Sequence, residues 1–283
     1  MTPQELLPLR GILLLGLIAF LVLYYAKRKG YFSITQNWSE QVPLYWYDIA
    51  IGFFIYFGST TLLSPLIVLK YKATTTSLIE LLAYVNFLAF LLIPLLFFFY
   101  FKFCKKNSIK HLFKDQNSSS PGYDITIGLL TYLISLPLIF FLSQTLAALV
   151  LTIFGTLGPE QIAVRVLKEM IGHPHLLIPM VLIIIFIGPF VEEFLFRLLL
   201  QSYLRKKLGT KSAILLSSLG FSLLHFSIQQ EVANFILLPV LFGLGLFLGF
   251  IYERQRSLFA PLSLHILFNA ATTTWLLIQA GNS

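Results

Sequence analysis

Apolar residues run along this chain in long unbroken blocks, with neither the strict alternation of a half-buried strand nor the one-sided stripe of a surface helix. The blocks fall at about 10–26, 49–69, 77–101, 125–154, 176–204, 212–229, 232–252 and 258–279. Each is near the roughly 20 residues needed to cross about 30 Å of hydrocarbon. The pattern predicts an all-α, polytopic membrane bundle of about eight transmembrane helices. Pro65, Pro94, Pro137 and Pro189 lie inside these blocks. Membrane helices tolerate such prolines because neighbouring groups satisfy the freed carbonyls. The first block is followed by "AKRKG" with no small-residue cleavage site before it, and is read as a retained helix.

The loops between blocks divide sharply by charge. Lys27, Arg28 and Lys29 follow the first block, five lysines from Lys102 to Lys114 follow the third, Arg205, Lys206, Lys207 and Lys211 follow the fifth, and Arg254 and Arg256 follow the seventh. The positive-inside tendency places these loops in the cytoplasm and both termini on the other side. "YWY" at Tyr45–Tyr47 reads as an interfacial anchor. The polar stretch "KKNSIKHLFKDQNSSSPGYD" marks a boundary between an amino-terminal part, 1–120, with helices and a basic loop, and a carboxy-terminal bundle, 121–283. "GPEQIAVRVLKEMIG", with Pro159 at its first helical position, reads as an amphipathic interfacial helix that brackets two spans. The glycosylation patterns at Asn37 and Asn117 fall in loops placed inside and are discounted.

Composition agrees with the pattern: 57% of the 283 residues are hydrophobic, 11% are charged, and the mean hydropathy is +0.83. The net charge of +8 first reports topology, and beyond that points to membrane lipids as partners. No motif supports a nucleic-acid partner. The single cysteine, Cys104, excludes an internal disulfide.

Against this background the polar residues inside the later blocks stand out. A charge at the centre of a spanning helix costs about 2.5–3.5 kcal/mol on insertion scales and normally faces a bundle interior or a wet cavity. "GPFVEEFLFRLLL" holds Glu192, Glu193 and Arg197. Glu193 and Arg197 are four apart and can pair on one helix face, whereas Glu192 lies about 100° round the helix and is left to face elsewhere. "FSLLHF" sets Phe221 and His225 on one face, and "HILFNA" does the same for His265 and Asn269. Counting 1.5 Å per residue from the basic loops puts Glu192, His225 and Asn269 each at about 20 Å depth, with His265 about one turn shallower. Groups distant in sequence would thus meet in one layer.

A carboxylate sheltered from bulk water can act first as base and then as acid. A histidine beside it could hold and help deprotonate water, while a second histidine and an amide could donate to an oxyanion. These are the parts of peptide hydrolysis without a protein nucleophile. Alternatively, Glu192, His225 and His265 could form the three-ligand site of a catalytic zinc ion with water as the fourth ligand. A rival class is an ion-coupled transporter, since intramembrane carboxylates and histidines also build proton relays, although no pair of inverted repeats is evident. A third reading is a non-enzymatic immunity or scaffold protein.

"EEFLFR", "FSLLH" and "HILFN" resemble, in order and spacing, the E-E-x-x-x-R, F-x-x-x-H and H-x-x-x-N motifs of the CPBP intramembrane proteases, a family that includes type II CAAX prenyl endopeptidases and bacteriocin-processing and self-immunity proteins. The resemblance spans about 176–273. It implies Glu192 as the water-activating glutamate, His225 beside it, His265 and Asn269 as stabilisers of the tetrahedral intermediate, and Glu193, Arg197 and Phe221 in support. It also implies a membrane-protein or peptide substrate, lipid-modified in some relatives, and leaves open whether zinc or the glutamate and histidine alone activate water. One departure is "RQRSLFAP", where many relatives carry Thr-Gly before Ser-Leu. The short loops suit a bacterial inner-membrane protein.

Overall fold

The computed structural model describes residues 6–34, 38, 43–71, 78–104, 113–115 and 118–281. Ten helices carry the fold among these residues: α1 (Leu6–Arg28), α2 (Trp46–Tyr71), α3 (Leu78–Cys104), α4 (Pro121–Phe154), α5 (Ile162–Glu169), α6 (Pro174–Leu182), α7 (Gly188–Glu193), α8 (Ser202–Leu224), α9 (Asn234–Gln255) and α10 (Phe259–Gly281). Two π-helical segments, Ile183–Ile187 and Phe194–Gln201, join α6, α7 and α8 into one long path. No strand occurs among the described residues, where one isolated bridge links Lys114 to Ser257.

The all-α membrane bundle expected from the hydrophobic blocks is present. Six stretches among the described residues are long and apolar enough to cross a membrane, and one of them, Pro174–Leu224, contains the fifth predicted block and most of the sixth, whose helix ends at Leu224 rather than 229. Gly209 separates those two, with φ 80° and ψ 167°, a conformation that a side chain would strain. The second block forms the 26-residue α2. Asn37 and Asn117 lie outside the described residues, as does the side chain of Glu80.

Two corrections concern helix starts. The amphipathic helix expected from Pro159 begins only at Ile162; its Leu167, with Met170 just beyond, packs on Leu176 and Met180 of α6. The fourth span starts at Pro121, earlier than expected, because the Ser120 side chain accepts from the Tyr123 N–H and caps the helix.

Packing places the long α6–α8 path at the centre of the functional half. The α2–α3 pair lies against it on one side, with α2 on the second π segment and α3 on α6. α9 packs along α8, and α4 packs on α1, α9 and α10. Small residues permit the closest approaches. A Cβ added to Gly245 would meet Ser218, and one added to Gly249 would come within 2.8 Å of Gln201 Oε1. α9 can therefore press its backbone against the path that carries both glutamates.

Candidate active site

The site begins with a disturbance in helical hydrogen bonding. In the first π segment the Gly188 N–H reaches the Ile183 carbonyl, one residue further back than in an α-helix. Pro189 has no N–H to continue that register, so the Ile184 carbonyl loses its donor. Asn269 of α10 supplies one, with Nδ2 donating to Ile184 O at 2.9 Å. The sequence therefore builds a bend immediately before the glutamates and ties α10 to it.

Beyond the bend the glutamates diverge as the helical angle requires. Glu193 is fully buried and pairs with the equally buried Arg197, Oε2 to Nε at 3.3 Å. Arg197 also donates from Nη2 to Gly245 O at 3.2 Å, and its guanidinium lies 4.7 Å from the centre of the Phe221 ring. Such a cation over a desolvated ring is worth about 2 kcal/mol. Glu192 keeps 15% of its side chain exposed and faces the two histidines. Its Oε2 lies 3.6 Å from His265 Nε2, and its Oε1 lies 4.0 Å from His225 Nε2.

Each histidine is oriented through its other nitrogen. His225 ends α8, and its Nδ1 lies 3.0 Å from the Phe221 carbonyl. A carbonyl only accepts, so Nδ1 carries a hydrogen and Nε2 is turned toward Glu192. His265 Nδ1 lies 2.8 Å from Glu193 Oε1, and a carboxylate there fixes the Nδ1–H in the same way. Phe221 packs edge-on against both imidazoles, with centroids 5.1 Å and 5.6 Å away.

The structure thus gathers Glu192, His225 and His265 into one layer, with Glu193, Arg197 and Phe221 behind them. Asn269 stands beside the layer with one amide hydrogen committed to the bend. Sequence reasoning anticipated the ion pair and the separate carboxylate, but missed that Glu193 also orients His265 and that Asn269 repairs the proline-broken register. The signal for the second was Pro189 itself, whose orphaned carbonyl needs a donor. His173 and His175 lie apart from this layer, at the start of α6.

As a metal site the donor set offers a carboxylate and two imidazole Nε2 atoms, ligand types zinc accepts when the imidazoles are neutral. Nevertheless, no group of three His, Cys, Asp or Glu side chains among the described residues closes around a common ion position. No step is therefore derived through a metal.

A second buried polar cluster lies two to three turns along the same path, and sequence reasoning had left its members as loop or background. Glu253 accepts from Gln201 Nε2 at 2.8 Å, from Arg205 Nη1 at 2.9 Å and from Trp38 Nε1 at 3.1 Å. The departure "RQRSLFAP" also finds its geometry here. Arg256, where many relatives have glycine, adopts the left-handed conformation at φ 53°, and its side chain pairs with buried Asp115 at 3.3 Å.

Among comparisons with known proteins, residues 174–271 match the family described as type II CAAX prenyl endopeptidase Rce1-like. No curated protein and no solved structure matches the chain. The matched segment runs from the start of α6 into α10 and includes every residue of the layer just described. Over that segment, about a third of the chain, it is similar to the type II CAAX prenyl endopeptidases, a family of membrane-embedded peptidases.

Proposed function

We propose that the protein cleaves a peptide bond near the carboxy-terminal end of a membrane-associated, lipid-modified protein or peptide, using a water molecule activated by Glu192 with His225. The observation that carries this reading is the meeting of one partly open carboxylate with two imidazole Nε2 atoms from two other helices, at 3.6 Å and 4.0 Å. Glu192 Oε1 and His225 Nε2 are too far apart for a direct hydrogen bond. Their separation suits a bridging water, whose two hydrogen bonds of about 2.8 Å would meet at its oxygen.

In the reaction, that water forms a bond from its oxygen to the scissile carbonyl carbon as Glu192 takes its proton. The carbonyl electrons move onto oxygen. His265 carrying a second hydrogen on Nε2, and the remaining N–H of Asn269, are the donors closest to hand for that oxyanion. Glu192 then delivers its proton to the amide nitrogen as the C–N bond breaks, releasing an amine and a carboxylic acid. Every proton is accounted for and no protein nucleophile is needed. By the distribution of basic loops both termini lie outside a bacterial inner membrane, and the layer sits about 20 Å from the cytoplasmic ends of its helices.

The test uses purified full-length protein in lipid nanodiscs, a prenylated reporter peptide and its unprenylated counterpart. Glu192→Gln lowers turnover of the prenylated peptide by about 10²–10⁴-fold with an unchanged melting profile, and the unprenylated peptide is the poorer substrate. Equal rates for Glu192→Gln and the intact enzyme would overturn the reading. Exhaustive chelation leaves the rate unchanged here; a loss restored by zinc alone would reassign water activation to a metal.

A further inference from the structure

The path that carries the glutamates bonds to α9 through three residues spaced by four, Arg197, Gln201 and Arg205, with Glu193 one further step of four before them. Arg197, which holds Glu193, donates to Gly245 O, Gln201 donates to Gly249 O at 2.9 Å, and both Gln201 and Arg205 donate to Glu253. The acceptors on α9 are themselves four residues apart. Together they form a ladder whose first rung holds the site and whose last rung lies at the basic end of the bundle.

Ordinary helix geometry would not give this alignment. At about 100° per residue, the eight steps from Arg197 to Arg205 leave the last side chain about 80° away from the first. The intervening Phe194–Gln201 segment is π-helical. Its hydrogen bonds reach one residue further back, each turn holds more residues, and most of that drift is taken back. The glycines remove the other obstacle, since a Cβ at 249 would collide with the Gln201 amide. The amide is also fixed in orientation: Ser217 Oγ donates to Gln201 Oε1 at 2.9 Å, leaving Nε2 to α9.

We infer that Gln201 is a positioning residue for Glu192, setting the register of the π-helical path against α9 and thereby the place of the carboxylate between His225 and His265. This rests on the reading of Glu192 given above for its kinetic consequence, though not for its geometric one. Gln201 lies about 13 Å along the axis from Glu192 and does not touch substrate. It acts through the rigid segment between them. A slip of about 1 Å in a catalytic group can cost about 10²-fold in rate.

The experiment compares Gln201→Leu, Ser217→Ala and Ile251→Ala, the last removing a fully buried packing side chain of α9. All are measured as folded protein in nanodiscs. Gln201→Leu lowers kcat for the prenylated reporter by about 10- to 100-fold while KM stays within about twofold. Ser217→Ala, which frees the amide without removing it, gives a smaller fall in the same direction. Ile251→Ala lowers Tm but leaves kcat per folded enzyme unchanged. A second readout needs no substrate: the rate at which a hydrophobic carbodiimide labels Glu192, located by mass spectrometry, changes at least threefold in Gln201→Leu and not in Ile251→Ala. Unchanged labelling together with unchanged kcat per folded enzyme would overturn the inference. Altered labelling in a protein whose wild type cleaves nothing would uphold the positioning role and defeat the catalytic reading instead.

Discussion

The bundle holds two buried polar layers on the same path, and they are built to opposite standards. In the layer around Glu253, contacts to Gln201, Arg205 and Trp38 fall between 2.8 Å and 3.1 Å, and the carboxylate is 2% exposed. In the layer around Glu192 the histidines stand 3.6 Å and 4.0 Å away. Glu193 Oε2 and Arg197 Nε and Nη1 also lack well-aligned hydrogen-bond partners among the described residues. A buried polar group without good partners costs about 1–3 kcal/mol, more when charged. A fold that saturates one layer and leaves the other loose keeps unspent hydrogen-bonding capacity where water and a peptide can use it. The contrast teaches that loose geometry, rather than the presence of charge, distinguishes the layer proposed to be reactive.

The paired glutamates break that comparison most strongly. Glu193→Ala leaves Arg197 buried without its counter-ion and frees the His265 ring, and is expected to cost about 3–5 kcal/mol. Thermal unfolding in nanodiscs, read alongside the yield of folded protein, checks this. Glu192→Ala removes a group that is already partly open and has only distant partners, so the same measurement should shift by less than about 1 kcal/mol. Equal destabilisation by the two variants would contradict the division between a structural and a reactive carboxylate.

Asn269→Ala comes next. It removes the donor from the Ile184 carbonyl beside Pro189, and an orphaned buried carbonyl costs about 1–3 kcal/mol. It also deletes the free N–H proposed to meet the oxyanion, so kcat falls by about 10- to 100-fold while KM changes little. A rise in KM with unchanged kcat would show that the amide binds substrate uniformly and plays no special part in the transition state.

How much of this was legible beforehand follows from where the physics is local. The all-α membrane bundle could be read because hydrophobic length is a property of contiguous residues, and the separation of Glu192 from Glu193 because helical angle is too. The count of eight was not reproduced, since six stretches among the described residues are long and apolar enough to cross. The meeting of His225, His265 and Glu192 was foreshadowed by depth counting and by the three motifs. Gln201 and Glu253 stayed hidden, since a buried glutamine is recognisable only once the facing glycines and the π-helical underwinding are known. Arg205 carried only a topological expectation, and its pairing was missed for a related reason: its guanidinium turns inward to Glu253. Helix starts at Pro121 and Ile162 differ from expectation because capping and docking, rather than hydrophobicity, fix the ends.

The smallest effect tests whether the well-satisfied end of the bundle hides strain of its own. Arg256 has φ 53° and ψ 42°, which costs a residue with a Cβ about 1–2 kcal/mol relative to glycine. Its guanidinium meets Asp115 at 3.3 Å, and the Asp115 N–H donates to the Arg256 carbonyl at 3.0 Å. Arg256→Gly alone relieves the backbone but strips a buried carboxylate of its cation, so the loss outweighs the relief. Combining Arg256→Gly with Asp115→Asn removes both charges, keeps the backbone bond and restores the glycine many relatives carry. The double variant should unfold within about 1 kcal/mol of the intact protein, because removing both partners of a buried pair is often near neutral. It should also cleave the reporter at the wild-type rate, since neither residue reaches the Glu192 layer. A double variant no more stable than Arg256→Gly alone would mean that Arg256 holds this corner by contacts other than the Asp115 pair, and that the clamp does not compensate the strain.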